Sequence, residues 1–285
     1  MCPNMWDNLV PYTFVSSNTL APGVRFGHSS IAYDAICKDV TSDNNLSECD
    51  YSDVLSSTKS ESIRRPKSIN ISTENIINGS FSPGHCQPMY SVAILLPYRN
   101  RKDQLDVFLP NIHNFLIRQK IHYKVYVIEQ QDNHPWNKGI LYNVGARQAI
   151  IEHFPCLIFH DIDLIPVDHS NLYVCMEEPR HMSASIDDYR FVLIYDTLFG
   201  GVVSIRTDQY IAVNGYPPDM SRYAQYHGNR PRIENKDRWK VMEENRRTRR
   251  AGDGFYSVQQ HVLEMTVEGF PMYTLIGVKR NYKMI

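Results

Sequence analysis

Between Ser91 and Asp163 the chain alternates three short apolar runs with two stretches of helical periodicity, an order that leaves few folds open. The runs are Ser91–Pro97, Tyr123–Ile128 and a third that opens with Cys156-Leu157-Ile158-Phe159 and ends at Asp161, each of strand length and character. Between the first two, Leu105, Phe108, Leu109, Ile112, Phe115 and Leu116 recur at helical spacing and form one apolar face. A second helix is expected over about 140–153. The order β-α-β-α-β requires a parallel sheet with right-handed crossovers, hence an α/β domain. In such sheets ligands gather beyond the C-terminal ends of the strands, so the residues following each run are the first functional candidates.

The third run delivers Asp161 and Asp163, two carboxylates two residues apart where the chain leaves the strand. Oxygen ligands of this kind suit a hard divalent cation that bridges a diphosphate, and the pair suggests a metal-assisted nucleotide-sugar site. After the first run come Arg99 and Arg101, whose planar donor forks suit the ribose, uracil and phosphate oxygens of a nucleotide.

The other regions narrow the setting. Residues 1–85 show little periodicity and are rich in Ser, Asn and Asp between about 41 and 80, which reads as an extended stem, with the folded part beginning near Cys86. After Asp163 the pattern is irregular, with an apolar segment at Met182–Ile186, a Gly200-Gly201 pair and a short helix candidate at Thr207–Val213. Residues 216–252 are polar and basic, and a last apolar region from Tyr256 to Val278 offers edge strands around Met272–Ile276. A net charge of −1 argues against a nucleic-acid partner. The basic run from Arg246 to Arg250 reads as a solvated helix face. No apolar run reaches the length of a membrane span, so any anchor is expected upstream of Met1. Six cysteines, with Asn-x-Ser sequons at Asn45, Asn70 and Asn78, lean toward a secretory lumen.

Seven short segments occur in an order that resembles the β-1,4-galactosyltransferase family of inverting Golgi glycosyltransferases. They are Leu96-Pro97-Tyr98-Arg99-Asn100-Arg101, Trp136-Asn137-Lys138 with Asn143-Val144-Gly145, and Phe159-His160-Asp161-Ile162-Asp163-Leu164-Ile165-Pro166. Asn171-Leu172-Tyr173-Val174-Cys175, Pro179-Arg180-His181, Phe199-Gly200-Gly201-Val202 and Asn214-Gly215-Tyr216-Pro217 complete the set. The resemblance covers about residues 86–278 and implies a single GT-A (Rossmann-like) catalytic domain at 86–285 behind a stem at 1–85. It further implies Mn²⁺ as cofactor, UDP-galactose or UDP-N-acetylgalactosamine as donor, a glycan ending in N-acetylglucosamine as acceptor, and the Golgi lumen as compartment.

Residue by residue, the resemblance assigns UDP-sugar binding to Pro97, Arg99, Arg101, Trp136, Lys138, Asp161, Ile162, Leu198 and Gly201, with Trp136 stacking on the uracil. Asp163 would be the manganese ligand, and His227, in Arg222-Tyr223-Ala224-Gln225-Tyr226-His227, its second protein ligand. Leu198 stands where galactosyl-transferring members usually carry Tyr, so it leaves room for an acetamido group at the sugar's C2. Cys156 and Cys175 match a family disulfide; Cys86 matches half of another, whose partner is Cys49 by spacing or Cys37 otherwise, and Cys2 stays unassigned.

Two departures stand out. Between Pro217 and Arg222 the family carries about thirty residues that supply a phosphate-contacting Trp, acceptor contacts and the general base, too long a loss for ordinary loop drift. Here only Pro218-Asp219-Met220-Ser221 intervene, so the domain reads as internally truncated near 217–222 and a catalytic base cannot be named. The second is Asp187-Asp188-Tyr189, where a family Lys near the diphosphate is replaced by a carboxylate that Arg190 would have to offset. The rival expectation is therefore an inactive splice form or paralogue that binds UDP or a partner in the lumen.

Overall fold

The structure, a computed structural model, describes residues 46–58, 69–193, 199–216 and 254–281. The expected alternation is present, with β2 at Ser91–Tyr98, α2 at Lys102–Ile117, β3 at His122–Gln130, α3 at Lys138–Ile151 and β4 at Cys156–His160. β2 lies between β3 and β4 and is parallel to both, paired from Ser91↔His122 to Tyr98↔Glu129 on one side and from Val92↔Cys156 to Leu95↔Phe159 on the other. The central residues Val92 to Leu96 are completely buried, as strands covered on both faces must be.

The helices follow their sequence cues. All six apolar residues expected on the face of α2 are buried, and this face packs on one side of the sheet with Ile94, Leu96, Val125 and Ile158. α3 starts where Asn137 caps it, the Asn137 side chain accepting from Ile140 N at 3.1 Å. It covers the opposite face with Leu95, Ile128, Phe159 and Ile276. Gly145 is needed there for close approach, since a Cβ would lie 2.8 Å from Ile128 Cδ1.

Outside this parallel centre the sheet is mixed. β6 (Val202–Arg206) runs antiparallel to β4 and carries β5 (Arg180–His181) on its far side. β8 (Tyr273–Arg280) runs parallel to β3 and antiparallel to β7 (Val262–Phe270), giving the order β5-β6-β4-β2-β3-β8-β7. The edge strand expected near Met272 is thus β8, an inner strand, and among the described residues the edge is β7. A short α4 follows β6 at Thr207–Ala212. No helix among the described residues is long and apolar enough to cross a membrane.

Part of the segment read as an irregular leader belongs to the core. A one-turn α1 at Ser52–Leu55 brings Cys49, Tyr51 and Val54 against the α2 face, and β1 (Ser80–Phe81) pairs with β3. Polar composition hid this because only a few apolar side chains anchor the segment. Cys49 bonds to Cys86, which settles the alternative left open by spacing, and Cys156 bonds to Cys175.

Candidate functional site

Three loops leave the C-terminal ends of adjacent parallel strands and carry most of the residues singled out above. The loop after β2 contributes Arg99 and Arg101, the loop after β3 contributes Trp136 and the start of α3, and the turn after β4 contributes Asp161 to Asp163. Pro97, buried near the end of β2, lies two residues beyond the last rung shared with β4, where its missing N–H removes nothing from that ladder.

Each carboxylate is met by a cation from a different element. Lys138, the first residue of α3, forms an ion pair with Asp161 Oδ1, and Tyr142, one turn along the same helix face, donates its hydroxyl to that oxygen at 3.2 Å. Burial first, and the charge of Asp161 second, raise the Tyr142 phenol well above its ordinary pKa, so it stays a donor. Arg101 Nη1 lies 3.3 Å from Asp163 Oδ2 in an exposed pair. Arg99 donates to the His134 carbonyl at 2.7 Å and sets its guanidinium 5.6 Å from the centre of the Trp136 ring.

The turn holding the carboxylates is fixed from below. The Asp161 amide donates to the Gly201 carbonyl at 2.9 Å. Gly201 has φ +72° and no room for a Cβ, which would lie 2.5 Å from Ser183 Oγ, so glycine is required beneath the site. His160 is fully buried, with Nδ1 2.9 Å from the Asp161 carbonyl and Nε2 3.1 Å from Tyr173 Oη. Burial lowers its pKa to about 4, which keeps the ring neutral. Tyr173 lies two residues before Cys175, so the Cys156–Cys175 bridge and the His160 contact brace one turn from two sides.

The loop after β3 has its own clamp. Asp132 accepts from Arg280 Nη2 at 3.1 Å, from Arg280 Nε at 3.2 Å and from His134 N at 2.9 Å, while Gln130 Nε2 donates to the His134 carbonyl. Burial pushes Asp132 up, but the hydrogen bonds from Arg280 and the amides prevail and hold its carboxyl below the usual range.

Not every expected residue faces the site. The Ile162 side chain is buried in the core, so only its backbone is offered to a ligand. Asp187 and Asp188 are exposed in a short 3₁₀ turn at Asp187–Tyr189, Asp187 accepting from the Asp188 amide. Leu198, His227, Asp219, Asn45, Cys2, Cys37 and the basic run at 246–250 lie outside the described residues. Sequence reasoning passed over Tyr142, although its spacing of four from Lys138 places both on one helix face. It also missed Asp132 and Arg280, which are 148 residues apart and share no local signal.

The donor set suits a hard cation: the Asp163 carboxylate is half-exposed at the strand edge beside Asp161, and a diphosphate would add further oxygens. Among the described residues no three potential ligands cluster, so the protein there supplies only part of a coordination shell.

Comparison with known proteins points to glycosyltransferases. A family model described as the N-terminal region of glycosyl transferase group 7 matches residues 52–176, and one described as the N-terminal domain of galactosyltransferase matches residues 180–224. Beta-1,4-galactosyltransferase 6 of Rattus norvegicus is 39% identical over 140 residues, 49% of this chain and 37% of that protein. Beta-1,4-galactosyltransferase 5 of Mus musculus is 40% identical over 142 residues, 50% of this chain and 37% of that protein. The chain thus spans less than two-fifths of the length of the curated relatives it matches. A solved structure of a mutant Drosophila beta-1,4-galactosyltransferase 7, in complex with manganese, UDP-Gal and xylobiose, superposes with a TM-score of 0.52 at 20% identity. It covers 67% of this chain and 94% of that one, and shows that the two share the GT-A fold.

Proposed function

We propose that this chain, which belongs to the β-1,4-galactosyltransferase family, transfers galactose or N-acetylgalactosamine from a UDP-sugar in β-1,4 linkage to terminal N-acetylglucosamine. The observation that carries this is the pairing of Lys138 with Asp161 and of Arg101 with Asp163 at adjacent strand ends, with Arg99 held on the His134 carbonyl of the neighbouring loop. Three cations and two carboxylates match a nucleoside diphosphate with a bound divalent metal, which neither charge alone would do.

In this reading Trp136 lies against the base, with Arg99 over the indole ring. Asp161 binds the nucleoside, and Lys138 and Arg101 exchange their carboxylate partners for phosphate oxygens when the donor arrives. Asp163, with His227 by the family resemblance, would hold Mn²⁺, which would supply positive charge beside the diphosphate. Leu198 leaves space at C2 and favours the acetamido donor. The two disulfides support an oxidising compartment, and we place the protein in the Golgi lumen.

The short connection from Pro217 to Arg222 favours a second reading, an inactive member that keeps the nucleotide pocket and acts by binding. Incubation with UDP-N-acetylgalactosamine, Mn²⁺ and an N-acetylglucosamine glycoside separates the two. A disaccharide product supports transfer, UDP binding without product supports the second reading, and neither product nor binding refutes both.

A further inference from the structure

The exposed edge strand β7 raises a problem that the nucleotide site does not solve. Met265 and Val267 point from one face of β7 and are 45% and 48% exposed, and Leu263, 71% exposed, stands in the irregularity just before them. Met265 pairs with Val278 and Val267 with Ile276, both completely buried, so this stripe continues the core face of the sheet beyond the elements that cover it. A free edge carrying apolar side chains is an aggregation hazard unless something blunts it.

At one end of the same face stands Asn78. Ile77 and Ser80 exchange backbone hydrogen bonds of 2.9 and 2.8 Å, and between them Asn78 and Gly79 have φ of +50° and +78°. This is a two-residue hairpin turn with both central residues left-handed, for which Asn-Gly is the favoured pair. The turn is held on the sheet by Thr274 Oγ1, which donates to the Asn78 carbonyl at 2.8 Å, and by Gly79 N, which donates to the Pro271 carbonyl. The Asn78 side chain rests over Gly269, where a Cβ would lie 2.3 Å from its Oδ1. Gly269 follows Val267 by two residues and therefore belongs to the same face of β7. Asn78 is exposed, and Asn78-Gly79-Ser80 is an acceptor sequon in a chain that forms two disulfides.

We propose that Asn78 is N-glycosylated and that its oligosaccharide covers the apolar stripe of β7. The co-substrate is a lipid diphosphate-linked oligosaccharide of the secretory pathway. Asn78 Nδ2 forms a bond to the sugar's C1 and loses a proton, while the C1–O bond to the diphosphate breaks and the lipid diphosphate leaves with the electron pair. Ser80 is partly buried and its Oγ lies 3.4 Å from His122 Nε2 in the folded chain, while Asn78 is exposed. The turn lies at the N-terminal end of β3, away from the strand ends that carry the nucleotide site, so the glycan leaves that site open.

The test is secretion of the full chain behind a signal sequence from eukaryotic cells, followed by peptide mapping before and after peptide-N-glycosidase. A glycopeptide containing Asn78, absent in Asn78→Gln and in Ser80→Ala, is expected. Binding of an apolar fluorescent dye should rise several-fold in both variants, and Met265→Ser/Val267→Ser added to Ser80→Ala should return it to the parent level. Unmodified Asn78 in secreted, disulfide-bonded protein would overturn the site. Equal dye binding with and without the glycan would overturn its covering role.

Discussion

Arg280 closes a two-point ion pair on Asp132, its Nη2 3.1 Å from Oδ1 and its Nε 3.2 Å from Oδ2, and so ties the end of β8 to the loop after β3. The Arg280 and Asp132 side chains are 3% and 10% exposed. Breaking a buried pair strands a charge, which typically costs about 3–5 kcal/mol. Arg280→Met should lower stability by about that amount in urea unfolding. Because the loop carries Trp136 and the His134 carbonyl that holds Arg99, UDP affinity should fall as well. Arg280→Met/Asp132→Asn, which removes both charges and keeps an acceptor for the His134 amide, should recover part of the stability but not the affinity.

The exposed pair between Arg101 and Asp163 predicts the opposite pattern. Exposed ion pairs contribute about 0–1 kcal/mol, so Arg101→Gln should leave the urea midpoint almost unchanged. Its loss of a phosphate partner should appear in calorimetry as a weaker UDP affinity, by about tenfold for one charge-assisted bond of about 1.5 kcal/mol.

His113 makes the fold acid-sensitive. It is fully buried, with Nδ1 2.8 Å from Tyr123 Oη and Nε2 2.7 Å from the Met272 carbonyl, and burial lowers its pKa from 6.5 to about 4. The unfolded chain therefore binds a proton below pH 6.5 that the native chain refuses until about pH 4. The stability that His113 contributes is fully present above pH 6.5 and is lost as pH falls toward 4. Between pH 7 and pH 5 this one ring should remove about 2 kcal/mol. His113→Gln, which can serve both partners without titrating, should flatten the pH profile of unfolding by about one proton.

The Cys156–Cys175 bridge closes a sequence separation of 19 residues around the acidic turn. Its removal in Cys156→Ala/Cys175→Ala should cost about 3 kcal/mol by loop entropy. Mass spectrometry of unreduced secreted protein should find the two cysteines in one cross-linked peptide. UDP affinity should fall in the double variant, since the turn loses one of its two braces.

The parallel centre of the sheet was legible because each of its elements writes a local period: the Leu105-to-Leu116 face of α2, the apolar run of β4. So was the position of Arg99, Arg101, Asp161 and Asp163 just beyond the strand ends, because the apolar runs that precede them are explicit. What escaped was non-local. Arg280 and Asp132 meet only through the register of β8 on β3, and Ile162 turned inward because alternation continues past the strand end. The helix α1 was hidden by its polar neighbours, although Cys49 held half of the clue.

The central claim is that the strand-end residues form a metal-dependent UDP site, and titration calorimetry of UDP into the full chain with and without Mn²⁺ tests it most directly. UDP should bind in the presence of Mn²⁺ and much more weakly in its absence, and Asp163→Asn should remove the difference while circular dichroism stays that of the parent. UDP affinity that is the same with and without Mn²⁺, in parent and variant alike, would contradict the account.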